Sequence, residues 1–546
     1  MRKMNQYKLL AVICAMALFA SCNFEEINTN QFEMSEGEGA MDGFEVGGLI
    51  TAMQRTVITV GTQADDTDII NAYQTAYHLS ADNWSGFFGE NNSNGWNAGS
   101  NNTTYYLLDG WVKGTYEQSY TNALDPWKRL KRAAEKNNTP EVFALAQILK
   151  ISAWHKTLES FGPMPYSHAA DATMNIPFDA EKDVYEAMFR DLTAAIAVLT
   201  EKAENGVNVM GAYDAVYAGD ATKWVKYANS LMLRLAMRVR FANAELAKEY
   251  ATQAVNHSIG VMTVKDDAAQ MSQGAGMTFR NNIEWLAGNY NEARMGSSIF
   301  SYLMGYKDPR LSAYFLPMDG NTSYGVKAFD GKTYQAVPAG HTHAQNDIYK
   351  SCSKPNIQSG TPTYWLRASE VYFLRAEAAL VWEGFGSADS WYKQGIAMSF
   401  QENSVTDPVD DYMNSGLPPQ AYNLSHYTYG QTLSAPCETT AKFEGTTEQK
   451  LEKIMIQKWI ALFPNGQEAW TEWRRTGYPK LNVIKDLRGE VQGATRKDGI
   501  RRMIYPTSFS QTNEAKAIYE AALKLFNNGA GGEDKSSTRL WWDCKR

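Results

Sequence analysis

Apolar residues recur along most of the chain at spacings of three and four, the period that lays one stripe along an α-helix. Between Glu141 and Phe161 the stripe is Val142, Leu145, Leu149, Ile151, Trp154, Leu158 and Phe161, and Gly162-Pro163 ends it. Asp183 to Leu199 repeats the pattern with Tyr185, Met188, Leu192, Ala195, Ile196 and Leu199. Trp224, Tyr227, Leu231 and Leu235 mark another helix, as do Val371, Leu374, Ala378 and Val381. A further one runs through Leu451, Ile454, Met455, Trp459 and Leu462 to the turn Pro464-Asn465-Gly466. One such helix cannot bury its stripe alone, whereas antiparallel pairs stacked on one another can. The pattern therefore predicts a mainly α chain of tetratricopeptide-like helix pairs with little strand. No exact repeat is visible, so the array is degenerate. Long irregular stretches separate the helices, at 81–109, 321–362 and 403–447, and loops of that length in a compact domain usually carry function.

The first residues follow a different logic. Arg2, Lys3 and Lys8 precede an apolar run from Leu9 to Ala20. That run is shorter than the ~20 residues of a spanning helix and reads as an export signal. Leu18-Phe19-Ala20-Ser21-Cys22 resembles the lipobox of bacterial lipoproteins, in which the cysteine sulfur takes a diacylglycerol and the new terminal amine is acylated. Residues 1–21 are then a signal peptide, Cys22 the lipidation site, 22–40 a polar tether and 41–546 a single domain. Each buried methylene contributes ~0.8 kcal/mol, so several chains on one residue anchor firmly. A signal peptide that happens to contain cysteine is the alternative. Glu25 and Glu26 resemble the acidic tag that directs lipoproteins of the Bacteroidetes to the outer face of the outer membrane.

Composition narrows the partners. A net charge of −8 argues against nucleic acid, which needs a basic field. Beyond the lipobox stand Cys352, Cys437 and Cys544, too few and too scattered for a disulfide framework, although a pair between Cys352 and Cys437 is open. The 15 Trp and 30 Tyr, beside many Asn, Gly and Ser, either fill a core or offer platforms to a ligand.

The densest candidate is residues 78–106, HLSADNWSGFFGENNSNGWNAGSNNTTYY. Trp84, Phe87, Phe88, Trp96, Tyr105 and Tyr106 alternate there with Asn83, Asn91, Asn92, Asn94 and Asn97, without helical or strand period. Aromatic faces pack on the C–H faces of sugars, and amides both donate to and accept from hydroxyls. A peptide backbone would be served by the same groups, and the rings could equally fold inward and staple the loop to the helical body. Trp285, Asn289, Tyr290, Asn291 and Arg294 form a second cluster. Arg294 could fork onto a carboxylate or vicinal hydroxyls, or pair with Glu284 or Glu292. The ligand set expected is Asn83, Trp84, Phe88, Asn94, Trp96, Trp285, Asn289, Tyr290 and Arg294.

Catalytic patterns are weaker. His341-Thr342-His343 lacks a third ligand in a zinc spacing, and Asp65-Asp66-Thr67-Asp68 does not fit a calcium loop. Asp82 and Glu90 flank the aromatic loop, and sequence does not place them at the separation a glycosidase needs. Glu370 and Glu377, on a helix with Arg367 and Arg375, read as surface or interhelical ion pairs. No metal or cofactor is expected; structural calcium stays open.

PTYWLRASEVYFLRAEAAL (362–380), KIMIQKWIALFPNGQEAWTEWRRTGYPKL (453–481), RRMIYP (501–506) and LWWD (540–543) together resemble the SusD/RagB family of outer-membrane lipoproteins. FGPMPYSHA (161–169) and KDPRL (307–311) extend the likeness upstream. The resemblance implies a body of four tetratricopeptide-like helix pairs and a more irregular half bearing the ligand. It also implies a non-enzymatic nutrient-binding role and a partner, a SusC-like TonB-dependent β-barrel on which the protein sits as a lid. Trp470, Trp473, Arg474, Arg475 and Tyr478 match a scaffold motif of the family. The cargo expected is an oligosaccharide; a peptide is the alternative, and a surface glycoside hydrolase the reading from another class.

Overall fold

A computed structural model describes residues 44–60, 66–173, 175–272, 278–319, 333–342, 349–423 and 432–545. The signal peptide, Cys22, the tether and His343 lie outside them.

The helical body is built from the pairs the periodicity predicts. Helices α1 (Asn122–Asn137) and α2 (Pro140–Phe161) form the first pair, α3 (Glu181–Glu204) and α4 (Ala221–Val239) the second. After α5 (Ala244–Asn256) come α6 (Ala368–Val381) with α7 (Ala388–Glu402), then α8 (Thr447–Leu462) with α9 (Gly466–Thr476). Each packs on its pair mate, while α2 touches α3, α4 touches α6, and α6 touches α8, so the pairs share one core. Residues 49–546 form one compact unit.

Local chemistry sets the ends. Pro140 opens α2 at a position where its missing N–H costs nothing. Asp220 accepts from the Lys223 amide at 3.1 Å, and Thr446 with Gln449 makes a reciprocal capping box. Gly162 ends α2 at φ +93°, where a Cβ would lie 2.7 Å from the Phe526 ring.

The single stripe expected on α2 is not what forms. The helix is buried on every side from Ala144 to Phe161, including Lys150, His155, Lys156 and Glu159, because neighbours cover it all round. Its charged positions are satisfied inside the protein. Arg238 on α4 meets Glu159 at 3.0 Å and also pairs with Glu468 and Glu472 of α9. Arg234 grips Glu370 of α6 through two bonds of 2.8 and 2.7 Å, and Arg475 grips Glu377 through two of 2.7 Å. Lys458 of α8 sits 3.0 Å from Glu472. Glu370 and Glu377 thus make interhelical pairs with Arg234 and Arg475. Arg367 instead donates to the carbonyls of Ala461 and Phe463, and Arg375 lies 3.6 Å from the centre of the Trp391 ring. Against the cost of burial, Arg238 and then His155 hold the Glu159 carboxyl well below the usual range.

Among the described residues strand is confined to two-stranded ribbons: β1 (Phe88–Glu90) with β3 (Ala293–Met295), β2 (Ala269–Met271) with β4 (Thr363–Leu366), and β5 (Tyr422–Asn423) with β6 (Thr432–Leu433). Cys352 and Cys437 are not joined: the Cys352 thiol lies 3.8 Å from the Ala336 carbonyl and Cys437 Sγ 3.5 Å from the Tyr302 hydroxyl.

Candidate functional site

The ribbon of β1 and β3 joins the two aromatic clusters that the sequence separates by two hundred residues. Phe88 pairs with Met295, Gly89 with Arg294 and Glu90 with Ala293, antiparallel. Beyond the ribbon the Asn91 amide donates to Glu292 O at 2.9 Å, its side chain to Asn291 O at 3.0 Å, and Asn92 to the Glu292 carboxylate at 3.2 Å. Gly89 is required there, since a Cβ would lie 2.8 Å from Val337.

The loop after β1 is ordered by its own asparagines. Asn101 donates to the carbonyls of Ser93 (2.8 Å) and Trp96 (2.9 Å), and Asn102 donates to Ser80 Oγ at 2.8 Å. Three short 3₁₀ turns result, at Ser93–Gly95, Asn97–Gly99 and Asn102–Thr104. Asn97, Ala98 and Tyr105 hold positive φ of 50°, 49° and 65°. For Ala98 and Tyr105 that conformation costs roughly 1 kcal/mol or more each, strain that the surrounding bonds must hold.

The expected ligand residues divide. Trp84 is 5% exposed, its indole N–H donating to Asn102 O at 2.8 Å and its ring 4.9 Å from Trp470. Phe88 is buried between His78 and Phe463, with centroids 5.0 and 5.5 Å away. Arg294 is fully buried and donates to the carbonyls of Lys350, Ala287 and Ala293 and to Asn291 Oδ1. These three are staples: Phe88 and Arg294 lie on a β-ribbon buried on both faces, Trp84 packs on Trp470 just before it, and Arg294 spends its guanidinium on backbone carbonyls and Asn291 rather than on Glu284 or Glu292. Asn83 is half-buried and donates to His78 O (2.7 Å) and Glu90 (3.0 Å).

The other five face solvent at least in part. Trp96 is half-buried and meets Trp111 edge-on at 6.1 Å; Asn94 is also half-buried. Trp285 and Tyr290 lie edge to face at 6.2 Å, and Asn289 is exposed. Arg280, which the sequence reading did not single out, covers Trp285 at 4.3 Å, pairs with Glu284 at 2.6 Å and donates to Asn289 at 3.2 Å. The Tyr290 hydroxyl donates to Asn71 at 3.0 Å. Trp111 and Asn71 were invisible as partners because their contacts cross element boundaries; Arg280 carried a local signal, a carboxylate four residues on.

The carboxylates beneath these rings are occupied. Asp82 accepts from the Tyr73 hydroxyl (2.8 Å) and the Gly466 amide (3.1 Å). His78 lies 2.8 Å from Glu90 and 3.5 Å from Asp82, close enough to pair though not aligned for hydrogen bonds. Burial opposes its charge, yet Glu90 and then Asp82 raise the imidazole to about 10. Glu292 is raised to about 7 by burial and then by Glu90. His341 is buried, with Nε2 2.9 Å from Glu90 O and Nδ1 3.1 Å from Ser93 Oγ; burial lowers it to about 4. Among the described residues no group of three or more His, Cys, Asp or Glu is placed to hold a metal. Both Asp82 and Glu90 being buried and bonded, the acid and base a glycosidase needs are not presented to a sugar.

A family model described as SusD-like, the SusD and RagB outer-membrane lipoproteins, matches residues 26–543. Among solved structures, a chitin-binding SusD homologue from Flavobacterium johnsoniae is 30% identical at a TM-score of 0.82, covering 92% of this chain and 99% of that one. A SusD homologue from Bacteroides uniformis is 30% identical at 0.79, with 92% and 100% covered. One from Bacteroides vulgatus is 29% identical at 0.81, with 93% and 99% covered. No curated protein matches the chain. Helix pairs, irregular half and sequence landmarks agree with these matches, and the chain belongs to the SusD/RagB family of outer-membrane lipoproteins.

Proposed function

We propose that this protein captures an oligosaccharide at the cell surface and passes it to a SusC-like TonB-dependent β-barrel in the outer membrane. Members of the family are binding proteins, not enzymes, and this chain is one. The observation that carries the reading is the β1–β3 ribbon, which joins the segment bearing Asn94 and Trp96 to the one bearing Trp285, Asn289 and Tyr290, five side chains that are each at least partly open to solvent. Rings for sugar faces and amides for hydroxyls make a carbohydrate palette. A chitin-binding relative across nearly the whole chain supports it. Cys22 carries the lipid anchor and the acidic Glu25 and Glu26 direct it outward. Capture need not be tight, since a millimolar dissociation constant corresponds to ~4 kcal/mol and tethering beside the transporter raises the effective concentration.

Calorimetry with a panel of chito-, xylo-, gluco- and manno-oligosaccharides and of mixed peptides tests it. Saturable binding of at least one glycan, with the sugar recovered intact, is expected; binding of peptides alone would replace the glycan with a peptide cargo. Affinity purification of the lipidated protein from its own membranes should recover a TonB-dependent barrel.

A further inference from the structure

A second cleft opens where the segment after α9 folds back over residues 103–105; Asn83 and Trp84 of the expected ligand set line it, while Asn94, Trp96, Trp285, Asn289 and Tyr290 do not. That segment is stitched down by backbone: Lys485 N to Ala339 O at 2.8 Å, Asp486 N to Gly340 O at 2.7 Å and Arg488 N to Thr104 O at 2.9 Å. The cleft encloses about 510 Å³, within the range of small-ligand sites. Trp473 and Tyr105, both half-buried, contribute rings to it. Gly499, at φ +61°, allows the chain to pass the Trp473 ring, which a Cβ would approach to 3.0 Å. Trp470 is sealed in the core, whereas Trp473, matched to the same scaffold motif, is presented here.

The charge of this cleft is opposite to that of the molecule. In a chain of net charge −8, five cations, Lys480, Arg496, Lys497, Arg501 and Arg539, line it against one anion, Asp498. Two of the five are committed elsewhere. Arg496 donates to the Lys485 carbonyl at 2.6 Å, and Arg501 is locked on Asp543 at 2.8 Å. Arg539 is paired as well, 2.9 Å from that Asp543 and 3.9 Å from the cleft's own Asp498, while remaining 47% exposed. Lys480 and Lys497 are exposed, and among the described residues Lys480 is held by the Gly477 carbonyl at 3.2 Å and the Tyr478 ring. A cleft with rings on its walls and a surplus of cations at its rim suits a ligand with flat apolar faces and repeated negative charge.

We propose that this cleft binds an anionic oligosaccharide, one bearing uronate carboxylates or sulfate esters, with sugar rings against Trp473 and Tyr105 and the anions met by Lys480 and Lys497. The preference for an anion stands on the cleft alone; the choice of saccharide over acidic peptide rests on the reading of the chain as a glycan binder.

The test is calorimetry on the mature protein with tetragalacturonate, with a chondroitin sulfate tetrasaccharide, with the neutral tetramer obtained by reducing the galacturonate carboxyls, and with hexaglutamate. At least one acidic sugar should bind, and more weakly as sodium chloride rises from about 0.05 to 0.5 M. The neutral tetramer and hexaglutamate should bind at least about tenfold more weakly, a difference of ~1.4 kcal/mol. Lys480→Glu with Lys497→Glu, both at the surface, should abolish acid binding without moving the melting temperature, whereas Trp96→Ala with Trp285→Ala should leave it intact. No binding of either acidic sugar, equal binding of the neutral tetramer, or binding that survives the lysine reversals would overturn the proposal. Hexaglutamate binding as tightly as the sugars would overturn the saccharide class. Loss of neutral-glycan binding in the tryptophan variants reports on the other face, so the two readings fail separately.

Discussion

Two tryptophans twelve residues apart, one on each side of β1, have opposite duties. Trp84 spends its indole N–H on Asn102 and its ring on Trp470, so Trp84→Ala should cost about 3–5 kcal/mol of stability, read as a lower urea midpoint, as for any large core ring. Trp96 is half-buried and meets Trp111 edge-on, and its loss should leave the midpoint within about 1 kcal/mol. Composition announced both rings and could not sort them, because in a loop without period nothing in the sequence says which way a side chain turns. His341 shows the same limit. Read from the sequence as a weak metal ligand, it is a buried, neutral anchor between Ser93 and the Glu90 carbonyl. Its depressed value means that its contribution is complete above the unfolded value near 6.5 and is lost as pH falls through about 4. Wild-type protein should therefore lose more melting temperature between pH 7 and pH 4.5 than His341→Gln does; equal losses would remove the histidine from the account of acid sensitivity.

Helix pairs were legible because a stripe at spacings of three and four needs a partner, and α3, α4, α6 and α8 fall where the stripes lie. What the stripes hid was the second interface of each helix. The polar faces of α2, α4, α6, α8 and α9 meet inside the protein through Glu159, Arg238, Glu370, Lys458 and Glu472. A charged residue reads as solvated when its partner lies on another helix, and only the fold supplies the partner. Arg238 holds three carboxylates at once, so Arg238→Ala strands buried charge and should lower stability by about 3–5 kcal/mol in urea unfolding. Arg238→Lys should recover little of that, an ammonium having no planar fork to span the three.

For the molecule as a whole, the sequence landmarks led to the family and the helical architecture, while three of the nine expected ligand residues are buried. Buried Trp84, Phe88 and Arg294 hold the loops that Trp96, Trp285 and Tyr290 decorate. That division was out of reach because it depends on the β1–β3 register between segments far apart in the chain. No described helix is long and apolar enough to cross a membrane, and the attachment proposed is through acyl chains on Cys22. Cys22→Ala should release the protein from the membrane fraction, measured by fractionation and by loss of radiolabelled palmitate. The most direct test of glycan capture is titration of the best-binding neutral oligosaccharide into wild type and the Trp96→Ala/Trp285→Ala double variant at matched melting temperature. Capture by the ring-bearing face predicts at least about a tenfold loss of affinity in the double variant. Equal affinity in the two proteins, or no heat from any glycan, would contradict it.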